Sequence, residues 1–80
     1  MPRVRLAVPA AQLELEDELR SRYGGMMTAA EVGRELGISD HTTYEKWLAD
    51  VKFVRVNNRK RWRVADVAGK IYRNTEEPVT

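Results

Sequence analysis

Arg55, Arg59, Lys60, Arg61 and Arg63 fall within nine residues of this 80-residue chain, with no acid among them. Cationic side chains at that density suit the phosphates of a polyanion. The plainer alternative is a solvated strand pair that merely carries high charge. The wider charge distribution favours the polyanion. Residues 1–50 hold six Lys/Arg and nine Asp/Glu, net −3, whereas residues 51–80 hold eight and three, net +5. Groups for catalysis are sparse by comparison. His41 is the single histidine and cysteine is absent, which excludes disulfides, thiolate metal sites and a multi-histidine centre. The chain has no glycine-rich phosphate loop, and its carboxylates fall on expected helix surfaces with no pocket to shift their pKa values. The expectation is therefore a non-enzymatic protein without cofactor or metal.

These cations must be positioned by one small core, since 80 residues leave no room for two. Hydrophobic residues make up 42% and charged residues 32% of the chain, a globular balance rather than a disordered one. A first helix is predicted from Pro9 or Ala10 to about Tyr23. Leu15, Leu19 and Tyr23 form its apolar stripe, the acids Glu14, Glu16, Asp17 and Glu18 a solvated face, and Gly24-Gly25 its end. A second helix begins at Thr28, whose spacing to Glu31 is that of a capping box, and stops at Gly37. A third follows over 41–50, with Asp40 the better N-cap and Ser39 a competitor. Tyr44, Trp47, Leu48 and Val51 supply its buried face. Two helices joined by so short a link must turn sharply, which is helix-turn-helix spacing.

A strand pair comes next. Val54-Arg55-Val56 and Arg61-Trp62-Arg63-Val64 both alternate, and Asn57-Asn58 between them suits a tight hairpin turn. Period-two patterning sends Val54, Val56, Trp62 and Val64 to the core and Arg55, Arg61 and Arg63 outward, with Arg59 and Lys60 at the tip. A last helix is predicted over about Asp66 to Arg73. Residues 1–8 and 74–80 are expected to be flexible ends around one domain at 9–73. The apolar run Leu6 to Ala11, broken by Pro9, is too short for a signal peptide or a membrane span, so a cytoplasmic protein is expected.

Helix, tight turn, helix, basic hairpin, helix is the order of a winged helix-turn-helix. It is a mostly α fold with a small β-hairpin (α+β), here with an extra N-terminal helix. Met27-Thr28-Ala29-Ala30-Glu31-Val32-Gly33-Arg34-Glu35-Leu36-Gly37-Ile38 resembles the opening of the excisionase-like and MerR-like winged-helix domains. Asp40 through Leu48 resembles their second helix, with Thr43 and Trp47 at that helix's usual threonine and aromatic. Arg61-Trp62-Arg63-Val64-Ala65-Asp66-Val67 resembles the end of their wing. The similarity covers residues 26–73.

The resemblance implies double-stranded DNA as the partner, bound by the 41–50 helix in the major groove and by the wing on phosphates or in the minor groove. On the helix the candidate contacts are His41, Thr42, Thr43, Glu45 and Lys46. Glu45 could accept from a cytosine amino group. On the wing they are Arg55, Asn57, Asn58, Arg59, Lys60, Arg61 and Arg63. The implied role is an excisionase, that is, a recombination directionality factor of a phage or mobile element. Such a protein would work beside an integrase or a second copy of itself, within the nucleoid when bound. The alternatives are a small transcriptional regulator and a protein–protein adaptor of the same fold. His41 reads first as a surface or capping residue. Trp47 and Trp62 read as core rather than as base-stacking platforms.

Overall fold

The computed structural model describes residues 8–76 and 78. Residues 1–7, 77, 79 and 80 of the expected flexible ends lie outside the described residues. The chain runs through α1 (Ala10–Tyr23), β1 (Met26–Met27), α2 (Ala29–Leu36), α3 (His41–Trp47), a 3-10 turn (Leu48–Asp50), β2 (Val54–Val56), β3 (Arg59–Arg63) and α4 (Val64–Arg73). It is mostly helical, with a three-stranded antiparallel sheet in the order β1-β3-β2. Among the described residues no helix is long and apolar enough to cross a membrane.

The helix ends follow from local chemistry. Pro9 stands in an extended conformation just before α1, where a missing N–H costs nothing. Thr28 and Glu31 form the full capping box: the Glu31 N–H donates to Thr28 Oγ1 (3.1 Å), and the Thr28 N–H donates to Glu31 Oε1 (2.9 Å). Gly37 ends α2 in the left-handed region at φ 72°, which lets the Ile38 N–H reach back to the Gly33 carbonyl at 2.8 Å. Asp40 caps α3 by accepting from the Thr43 N–H at 3.0 Å.

Leu19, Met27, Val32, Val64, Val67 and Ala68 are the innermost core side chains, with Leu48, Val51 and Trp62 around them. Leu15, Tyr23 and Ile71 pack on their edge, where α1 lies along α4. The acidic face of α1 departs from expectation. Glu16 is only 5% exposed, because it sits one helical turn before Leu19 on the buried side. Arg20, one turn after Glu16, pairs with it at 2.9 Å. Tyr44 and Trp47, expected in the core, are half-buried. The third helix also tightens into the 3-10 turn after Trp47 rather than running on as α to residue 50.

The hairpin turn has two residues, and both are left-handed: Asn57 at φ 50° and Asn58 at φ 66°. That is what a type I′ turn requires, and asparagine tolerates it. Asn58→Val is expected to cost about 1–2 kcal/mol, because a β-branched side chain is strained at positive φ. Chemical denaturation would read this loss.

The turn also fixes the register, pairing Val56 with Arg59, Arg55 with Lys60 and Val54 with Arg61. Opposed residues share a sheet face. Val54 and Val56 therefore lie with Arg59 and Arg61, not with Trp62. Val56 is 45% exposed accordingly. The expectation that both valines face the core is corrected, and so is the placement of Arg59 and Lys60 at the tip. These two residues open β3, and the asparagines alone form the tip. Val64 is buried, but as the first residue of α4. β1 was not expected. Its Met27 pairs with Trp62 on the core face.

α1 and α2 are clamped through Glu35, which accepts from Arg22 Nη1 at 2.6 Å and from the Tyr23 hydroxyl at 2.9 Å. The guanidinium, helped by the hydroxyl, holds the Glu35 carboxyl below its ordinary value of 4.5. A carboxylate with a depressed folded pKa stabilises fully above the unfolded value, and the gain is lost as pH falls through the folded one. Thermal unfolding followed downward from neutral pH is expected to show Tm falling once pH drops below about 4.5. The fall is expected to be smaller in Glu35→Gln, which lacks that titration.

Candidate functional site

Helical periodicity puts Thr42, Lys46 and Ala49 on one side of the α3 segment, and all three are exposed. The N-terminal residues of the segment are partly engaged already. The Thr43 hydroxyl donates to Asp40 Oδ2 at 2.5 Å, and this bond with that of the Thr43 amide holds the Asp40 carboxyl below its ordinary range. His41 Nε2 lies 2.5 Å from Glu45 Oε2. The His41 ring also meets Tyr44 edge-on, with centroids 5.8 Å apart. Thr42 and Lys46 are thus the candidate helix residues without a side-chain bond to a neighbour among the described residues.

Two contacts set how α3 sits. Below it, Gly33 of α2 leaves room for the Tyr44 ring: a Cβ there would lie 2.4 Å from Tyr44 Cδ2 and 2.9 Å from the Ile38 carbonyl oxygen. At its far end, Lys70 of α4 reaches up. Its ammonium donates to the Trp47 carbonyl, pairs with Asp50 Oδ1 at 2.5 Å, and lies 4.6 Å from the centre of the Trp47 ring. A cation at the C-terminal carbonyls of a helix is favourably placed.

The hairpin carries its charge on both faces. Arg59 and Arg61 stand with the valines on one side, and Arg55 and Lys60 stand with Trp62 on the other. Among the described residues Arg55, Arg59, Lys60, Arg61 and Arg63 make no ion pair. Arg61 donates instead to the Lys60 carbonyl at 2.9 Å. Five unpaired cations on two short strands repel one another, and an external anion relieves that repulsion.

Helix and hairpin meet along one cleft of about 480 Å³. Glu45, Leu48 and Ala49 form one wall, and Arg59, Lys60 and Arg61 form the other. The start of α2, from Thr28 to Ala30, closes one end, with Phe53 and Trp62 also lining the cleft. The structure thus brings Glu45 and three of the hairpin cations to one place, while His41, Thr42, Thr43 and Lys46 do not line the cleft. Asn57 and Asn58 stand at the tip, and Arg63 sits at the other end of β3, opposite Met26.

No protein-family model matches this chain, and no curated protein or solved structure matches it either.

Phe53 was missed in the sequence. It is 46% exposed, with Lys60 Nζ 4.7 Å and the Arg55 guanidinium carbon 5.8 Å from its ring centre. The signal was present: counting back from a two-residue turn sets Phe53 opposite Trp62, and the two rings lie 6.3 Å apart. Trp62 is core, as its type suggests. Its buried indole N–H finds no acceptor among the described residues.

Proposed function

We propose that this chain binds duplex DNA as a winged helix-turn-helix domain. α2 and α3 would be the helix pair and the β2–β3 hairpin the wing. The observation that carries this is the cleft at which the α3 segment, through Glu45, Leu48 and Ala49, meets Arg59, Lys60 and Arg61, with Thr42 and Lys46 exposed on the same segment outside the cleft lining. A helix of α3's diameter fits the major groove, where Thr42 and Lys46 would reach base edges. Arg59 and Arg61, on the outward face of the wing, would contact phosphates or the adjacent minor groove. Glu45, on the α3 wall of the cleft, would repel phosphate but could accept from a cytosine amino group. The resemblance of residues 26–73 favours an excisionase that works with an integrase or with further copies of itself. A small transcriptional regulator is the next reading, and an integrase gene beside this one would separate the two.

The test is fluorescence anisotropy on a random duplex across a salt series. A log–log slope of about −3 to −5 is expected, as several released counterions demand. An absence of binding at low salt would point to a protein-binding adaptor instead.

A further inference from the structure

Phe53 is the least explained residue of the hairpin. Its ring is half in solvent, and two cations lie over it that form no ion pair with an acid among the described residues. An aromatic face with ammonium and guanidinium groups around it, inside a cleft lined by three cations and one acid, Glu45, has the composition of a single-strand site. There bases stack on rings while cations follow the backbone. A paired base cannot use such a ring, because both its faces are covered within the duplex stack. The cleft's size is that of sites for small organic groups. Leu48, Ala49 and Ala30 give it apolar walls, and Arg59, Lys60 and Arg61 give it the charge to hold flanking phosphates.

We infer that this cleft binds an unpaired nucleobase of single-stranded DNA, stacked on Phe53. Lys60 moves from the ring to the neighbouring phosphate as the base enters. Arg59 or Arg61 takes the next phosphate. Trp62 backs the ring and keeps Phe53 from folding inward. The ligand differs from the duplex proposed above, and the inference does not require that reading.

The experiment compares an oligothymidylate with an abasic oligomer of the same length and charge, by anisotropy at one fixed salt concentration. Backbone charge is equal in the two, so any difference belongs to the bases. The oligothymidylate is expected to bind about 5- to 150-fold more tightly per stacked base. Phe53→Ala is expected to abolish that difference, and Phe53→Trp to keep it. Both variants are expected to keep the wild-type affinity for the abasic oligomer and a normal melting transition. Equal affinity of the wild-type protein for the two oligomers would overturn the inference. So would a preference that survives Phe53→Ala. Tighter binding of an oligouridylate than of the oligothymidylate would overturn the assignment to DNA.

Discussion

Replacing Arg59 and Lys60 together by alanine is expected to weaken duplex binding roughly 60-fold near 0.1 M salt and to reduce the salt slope by about two. Each phosphate contact contributes about 0.9 to the slope, so two lost contacts remove nearly two units and about that many decades at this salt. The loss is expected on every sequence alike, because the backbone charge carries no sequence information. Both side chains are exposed and neither makes a side-chain hydrogen bond among the described residues, so the fold stays intact. The readout is the anisotropy salt series with a melting curve beside it. An unchanged slope in a folded variant would remove the hairpin from the proposed DNA-binding surface.

The second large effect concerns how α3 is held. Gly33→Val is expected to destabilise the domain by about 3 kcal/mol, at the upper end of overpacking effects. Helix propensity opposes this by only about 0.3 kcal/mol, since valine is little better than glycine. The clash decides the sign. The new Cβ would stand 2.4 Å from the Tyr44 ring and 2.9 Å from the Ile38 carbonyl, and the latter is backbone that cannot rotate away. For a domain of this size that energy lowers Tm by more than about 10 °C. Tyr44→Ala in the same chain is expected to recover part of the loss, because it removes the nearer of the two obstacles. A Gly33→Val protein that melts like the wild type would show that α2 and α3 do not approach as described.

Much of this architecture was legible in the sequence where one residue type had one local task. Thr28 with Glu31, Asp40, Gly37 and the Asn57-Asn58 pair all act where their chemistry says they act. The failures have a common cause. Alternation within a single strand does not set its face, because a two-residue turn couples the two strands. The pairing of Val56 with Arg59 reverses the face given to the valines and exposes the place of Phe53. β1 is two residues long and has no periodicity to read. Glu16 is buried because it stands on the side of α1 that meets the core, and composition does not reveal which side that is. Of the expected site residues, Glu45, Arg59, Lys60 and Arg61 line the cleft, whereas Thr42, Lys46, Arg55 and Arg63 do not. The engagement of Thr43 with Asp40 and of His41 with Glu45 could not be named from residue type, since each depends on side-chain direction.

The central claim is that α3 and the hairpin form one nucleic-acid face and that α1 and α4 lie behind it. Amide chemical-shift mapping during titration with a random duplex tests this most directly. Perturbations are expected at Thr42, Lys46 and Ala49 and across residues 55–63, with Leu15, Leu19, Val67 and Ile71 unmoved. Perturbations centred on α1 and α4, with Thr42 and Arg59 silent, would contradict it.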